Sequence, residues 1–122
     1  MKDLNAVTWL EFSGAAANTS TVTGAAVDMG DYVGNVSIMQ HVQTVTGTAP
    51  TLDGHIEDSP DGSTDWQDIT GATWTQVTAA DNTAIRVSTR TGRLHWRYVG
   101  TIAGTTPSFT MAVLAVAENH RQ

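Results

Sequence analysis

Acidic side chains concentrate in one stretch of this 122-residue chain, between residues 53 and 68. The stretch contains Asp53, Glu57, Asp58, Asp61, Asp65 and Asp68. Carboxylate oxygens are the ligands that Ca²⁺ prefers, but the order of these residues does not match the calcium-binding loop pattern. The four histidines are scattered and form no HExxH pair, which is typical of surface polar groups rather than zinc ligands. The sequence therefore predicts no metal site and no cofactor.

Catalytic signatures are missing as well. The chain has no cysteine, no G-x-S-x-G nucleophile turn and no glycine-rich phosphate loop. Its many serines and threonines are explained by β-propensity and turn chemistry. We therefore predict a protein that is not an enzyme, with no catalytic residue.

Two further groups of side chains are suited to binding. Arg86, Arg90, Arg93 and Arg97 form the one basic patch, in which Arg93 and Arg97 share a strand face. The four arginines can bind carboxylates of a partner protein or pair with the acidic 57–68 stretch of their own chain, and both alternatives stay open. Trp66 and Trp74 lie near turns and are candidates for stacking on a sugar ring, whereas Trp96 has the parity of a core residue.

Composition restricts the class of protein. Six Lys and Arg against twelve Asp and Glu give a net charge of −6 and a pI of about 4.8, which disfavours nucleic-acid binding. Apolar residues make up 40% and charged residues 15%, which is typical of a folded domain. No segment approaches 18 consecutive apolar residues, so no membrane association is expected.

The elements that must position these side chains are strands. Apolar and polar residues alternate over 33–46 and 93–103, which predicts two long, half-buried strands. Shorter strands are expected at 21–27, 51–58, 73–78, 84–88 and 108–117. The last is apolar on both parities, which favours a central strand covered on both faces. This spacing predicts an all-β, antiparallel, jelly-roll-like β-sandwich.

Turns separate these strands. Ser59-Pro60-Asp61-Gly62-Ser63 predicts a tight turn. The pattern Gly-Thr-x-Pro, small hydroxyl, large apolar occurs twice, at 47–52 and at 104–109. We interpret the two copies as the loops of two long hairpins, with glycine supplying the unusual dihedral angle.

The N-terminal segment differs from the rest. Its large apolar residues precede a Gly/Ala/Ser/Asn/Thr stretch, which favours an extended arm and flexible spacer over 1–20, a sandwich over 21–118 and a tail over 119–122. The alternative is an edge strand that packs on its own domain. The candidate partner-binding residues are Leu4, Trp9, Leu10 and Phe12, together with Arg93 and Arg97.

One run resembles a known class of proteins. Five segments resemble small virion proteins of tailed bacteriophages that are encoded beside the major capsid protein. The segments are Thr48 to Asp53, Ile56 to Ser63, Ala72 to Thr78, Leu94 to Val99 and Gly104 to Phe109. The resemblance covers about residues 26–117.

This resemblance implies a capsid decoration, or cement, protein. Such a protein is made in the host cytoplasm, binds the outer surface of the assembled head and stabilises it by bridging subunits. Its expected partners are the major capsid protein and other copies of itself, in a trimer or dimer. A carbohydrate-binding module on the virion surface or tail is the alternative, and it depends on Trp66 and Trp74.

Overall fold

A computed structural model describes residues 5–120 of the chain, and every regular element in this part is a β-strand. The strands are β1 (Asn5–Asn18), β2 (Val22–Thr23), β3 (Val27–Asp28), β4 (Tyr32–Ser59), β5 (Gln67–Thr73), β6 (Asp81–Ser88) and β7 (His95–His120). All of their pairings are antiparallel, which confirms the predicted fold class. The described residues contain no helix that is long and apolar enough to cross a membrane.

Strands β4 and β7 organise the whole domain. They have 28 and 26 residues and pair with each other from Tyr32↔Asn119 to Ser59↔His95. The predicted strands 33–46 and 51–58 are therefore two halves of β4, and 93–103 and 108–117 fall largely within β7. The prediction of separate strands is wrong because the Gly-Thr-x-Pro segments bend the paired strands without ending them.

The two Gly-Thr-x-Pro copies lie opposite each other in this ladder, with Thr48 paired to Thr105. Gly47 and Gly104 have φ angles of 113° and 125°, in the region that favours glycine, so the predicted role of glycine is confirmed. A Cβ on Gly47 would lie 2.7 Å from the carbonyl oxygen of Thr106, so the backbones touch. The segments are facing bends and not hairpin loops, which corrects that interpretation.

The bends fold the β4–β7 ribbon over itself into two layers. The first layer contains β1, the second half of β7, the first half of β4 and β6. The second contains β2, β3, the first half of β7, the second half of β4 and β5. Across the core the Tyr98 hydroxyl donates a 2.6 Å hydrogen bond to Gln40 Oε1, which joins the two layers of this sandwich.

The core lies between the layers and follows the predicted alternation. Val36, Ile38 and Val42 are buried on β4, and Trp96 and Tyr98 are fully buried on β7. The largest other core side chains are Phe12, Leu52, Ile56, Phe109, Met111 and Trp74.

Three local expectations are wrong. Leu94 is 46% exposed because it lies in a bend before β7 begins at His95. The 108–117 segment is central in its layer but is covered on one face, since Leu114 remains 38% exposed. The predicted strand 73–78 is replaced by β5, which ends at Thr73 and is followed by a single bridge between Leu52 and Val77.

The N-terminal segment is extended, and it is an edge strand of this same domain. Strand β1 pairs with β7 from Asn5↔His120 to Asn18↔Phe109, and Phe12 is 1% exposed in the core. Within the predicted flexible spacer, Ser13, Ala16, Ala17 and Asn18 pair with β7, and the register shifts between Ser13 and Ala16. Strand β7 also runs to His120, into the predicted tail.

Candidate interaction surface

The open face of the first layer carries an apolar patch, which we define as Trp9, Met39, Leu114 and Val116. Trp9 is 72% exposed, Met39 is 43% exposed and Leu114 is 38% exposed, while Val116 is half-buried. The register explains the grouping, because Trp9 pairs with Val116 and Leu114 pairs with Met39 on adjacent strands. Side chains that oppose each other in a sheet lie within contact range. Exposed apolar side chains that adjoin one another on an open sheet face are a candidate binding surface.

Polar side chains border this apolar patch. Glu11 lies opposite Leu114 at the β1 edge, and Arg86 lies opposite Ser37 at the β6 edge. His41 contacts the side-chain oxygen of Asn82 through Nδ1. An apolar centre with a polar border is the usual organisation of a protein–protein interface.

The opposite layer carries an ionic cluster. The Arg93 guanidinium donates to Asp58 Oδ1 through Nε (3.0 Å) and Nη2 (2.9 Å), and to Asp65 Oδ2 through Nη1 (2.9 Å). The Asp58 side chain is only 9% exposed. Hydrogen bonds that the guanidinium donates to Asp58 raise the pKa of Arg93 above its usual value. Arg93 is therefore held by ion pairs within its own domain, and its role in binding a partner stays a prediction.

Arg97 is also paired within the chain. Its Nη2 lies 2.8 Å from Glu57 Oε1, and its guanidinium carbon lies 4.1 Å from the centre of the Trp66 ring. Planar guanidinium groups bind carboxylates and stack on aromatic rings in this way. Arg93 and Arg97 therefore pair with acidic residues of their own chain, which is one of the two alternatives that the sequence left open.

Glu57 is shared between two cationic or hydrogen-bonding groups. His55 Nε2 lies 3.1 Å from Glu57 Oε2 and 3.3 Å from Asp68 Oδ1. Burial raises the pKa of Glu57, but hydrogen bonds from His55 and Arg97 outweigh it and hold the pKa below its ordinary value. This carboxylate is consequently ionised and fixed in orientation.

The two candidate tryptophans differ in how far their rings are covered. Trp74 is 6% exposed, donates from Nε1 to the carbonyl oxygen of Thr83 and packs edge-to-face on Tyr98. Trp66 is half-buried and has Arg97 over one face of its ring. The assignment of Trp74 as a ligand-stacking residue is corrected because the core encloses it.

Among the predicted partner-binding residues, the structure brings Trp9 to the apolar patch. Leu10 is partly buried against the core, Phe12 is inside the core and Leu4 lies outside the described residues. Met39 and Leu114 were missed. The signal for Leu114 was present in the sequence, because 108–117 is apolar on both parities, but a second covering layer was assumed.

Comparison with known proteins finds solved structures that share this fold. No protein-family model and no curated protein matches the sequence. The SPBc2 prophage-derived protein YomS has a similar structure, with a TM-score of 0.58 and 10% identity over 98% of each chain. The infectious bursal disease virus VP2 subviral particle gives a TM-score of 0.59 and 12% identity, over 97% of this chain and 33% of that chain.

A second structure of infectious bursal disease virus, the Gx strain, gives the same TM-score of 0.59 at 15% identity. It also aligns over 97% of this chain and 33% of its own, so the chain spans about a third of those viral chains. At these identities the likeness shows a shared fold.

Proposed function

We propose that this protein is a non-enzymatic structural protein of a phage virion, which binds the outside of the assembled head and stabilises it by bridging neighbouring capsid subunits. The observation that carries the proposal is the apolar patch around Trp9, on a domain whose other aromatic side chains are mostly buried. The likeness of the fold to a prophage protein and to viral particle proteins supports the same class of function.

Binding at the apolar patch stabilises a shell without any chemistry. A protein that binds the assembled shell and not its free subunits shifts the assembly equilibrium by mass action. If copies associate as dimers or trimers, each assembly holds several subunits at once, and linked contacts add avidity. The acidic chain, with a net charge of −6, also suits a capsid surface that is basic around the contact.

Apolar burial is expected to dominate the attachment. An aromatic side chain buries about 150–250 Å² in total, so an indole that is 72% exposed has enough surface left to contribute about 3–4 kcal/mol at about 25 cal/mol per Å². An exposed ion pair contributes about 0–1 kcal/mol. Arg93 and Arg97, two of the four arginines of the predicted basic patch, are moreover engaged within the domain.

Co-sedimentation with purified empty heads tests this proposal. We expect Trp9→Ala and Leu114→Ala each to weaken decoration of the heads by at least ~10-fold, because about 1.4 kcal/mol corresponds to tenfold in affinity. Leu94→Ala is the matched control, since Leu94 is an exposed leucine away from the apolar patch. Binding that is unchanged in Trp9→Ala and Leu114→Ala would refute the proposed surface.

Salt provides an independent measurement. Attachment through apolar burial is expected to persist between low and high salt, because screening acts on exposed charges. Release of the protein at moderate salt would show that ion pairs hold it. No binding to heads under any condition, with the fold intact, would reject the decoration function itself.

A further inference from the structure

From the geometry on the second layer we infer a binding site for a divalent transition metal, with zinc as the representative ion, formed by His55 Nε2, Glu57 Oε2 and Asp68 Oδ1. This inference is independent of the proposed function, because the site lies on the layer opposite the apolar patch. The three donor atoms all lie within 4.8 Å of one another.

The separations match those of zinc ligands. Zinc binds imidazole nitrogen and carboxylate oxygen at about 2.0–2.2 Å in tetrahedral geometry, which places two ligand atoms roughly 3.3–3.5 Å apart. His55 Nε2 lies 3.1 Å from Glu57 Oε2 and 3.3 Å from Asp68 Oδ1. Three protein ligands leave the fourth position to a water molecule.

The strands hold the three donors in place. His55 and Glu57 are two residues apart on β4 and therefore point to the same face, and Glu57 pairs with Asp68 on β5. Arg97 binds Glu57 Oε1 at 2.8 Å, which directs the other oxygen, Oε2, towards His55. An outer partner that fixes a ligating carboxylate is a common feature of metal sites.

One nitrogen faces two carboxylates in this arrangement. A neutral imidazole has at most one hydrogen on Nε2, yet two carboxylate oxygens, of Glu57 and Asp68, converge on that nitrogen. Without a cation the two oxygens share that hydrogen, and the exposed Asp68 carboxylate is also hydrated. A divalent cation attracts all three donors, and the mixed nitrogen and oxygen set favours zinc over calcium, which prefers oxygen ligands.

Isothermal titration calorimetry of the EDTA-treated full chain with ZnCl₂ at pH 8 tests the inference. We expect one zinc ion per chain, with an affinity weakened at least ~10-fold in His55→Ala and in Asp68→Asn. His41→Ala and Asp53→Asn are the matched controls, because these residues are an exposed histidine and an exposed aspartate outside the cluster. Circular dichroism of each variant verifies the fold, and Asp68, which is 73% exposed, is the safer position if His55→Ala unfolds.

Three results would overturn the inference. One is the absence of a one-to-one zinc isotherm for the unmodified chain. Another is a loss of affinity in His41→Ala or Asp53→Asn as large as that in the site variants. The third is CaCl₂ binding at the same residues with equal affinity, which would replace a transition-metal site by a general cation site. Nitrogen chemical shifts of the histidine rings would identify His55 Nε2 as the ligand in the first titration.

Discussion

Replacing Gly54 by alanine is expected to destabilise the domain strongly, because Gly54 faces the buried hydrogen bond that joins the two layers. A Cβ at this position would lie 2.2 Å from Gln40 Oε1 and 2.7 Å from the Tyr98 hydroxyl oxygen. Those two atoms form the buried hydrogen bond between the layers. Gln40 is 1% exposed and Tyr98 is fully buried, so neither side chain has open space to move into.

The magnitude follows from two contributions. Inserting a methyl group into a packed core costs about 1–3 kcal/mol. Separating the amide from the phenol leaves buried polar atoms without partners and costs about 1–3 kcal/mol more. The gain from removing a glycine from the unfolded chain offsets at most about 1 kcal/mol. We therefore expect Gly54→Ala to lose about 1–6 kcal/mol of a total stability that is about 5–15 kcal/mol for a typical domain.

Urea unfolding followed by tryptophan fluorescence measures this loss. Gly14→Ala is the matched control, because a Cβ there meets the Glu11 carboxylate at an ordinary 3.5 Å. In a Tyr98→Phe background the same Gly54→Ala change is expected to cost less, since the hydrogen bond is already absent. Equal free energies of unfolding for Gly54→Ala and Gly14→Ala would refute the account of how the layers face each other.

Three other perturbations test separate parts of the structure. Arg93→Ala is expected to lower the urea midpoint more than Arg90→Ala, because it leaves a buried carboxylate without its guanidinium; equal midpoints would show that Arg93 is not a structural anchor. Ala49→Gly is expected to be neutral or stabilising by up to about 1 kcal/mol, since φ is 51° at Ala49, whereas Ala84→Gly in strand β6 is expected to cost about 0.5–1 kcal/mol. The pKa of Glu57 is lower in the folded domain than its ordinary value of 4.5. The ionised carboxylate therefore stabilises the fold fully above pH 4.5, and this stability is lost as the pH falls through the lower folded pKa. In urea unfolding below pH 4.5, Glu57→Gln is expected to lose less stability with acid than the unmodified chain, and identical pH profiles of the two would contradict this.

The properties of neighbouring residues were sufficient to predict the all-β class and the burial of several individual side chains. Alternation in 36–42 and 94–98 depends on the two-residue period of a strand, so the burial of Val36, Ile38, Trp96 and Tyr98 was predictable. The turn at 59–63 was predictable too, because its conformation depends on residues that are neighbours in the sequence. Gly62 has a φ of 80°, and Asp61 accepts hydrogen bonds from the backbone of Ser63 and Thr64, which lowers the pKa of its carboxyl group below the usual range.

The partners of the candidate residues were not predictable in the same way. Whether Arg93 faces another protein or Asp58, 35 positions earlier in the chain, depends on how the chain folds back across the sheet. Phe12 and Trp9 are close in sequence and equally apolar, yet one is in the core and the other is 72% exposed, because the register of β1 on β7 places them on opposite faces.

The sequence by itself determined an acidic all-β chain with glycines at two equivalent bends, since charge, strand period and backbone freedom are properties of single residues and their neighbours. The tertiary structure alone decided that those bends face each other, that Met39 and Leu114 join Trp9 on one open face, and that Asp68 meets His55 and Glu57. The physical reason is that cross-strand neighbours are set by which strands pair and in which register. That choice minimises the free energy of the whole sheet and is not encoded in any one segment.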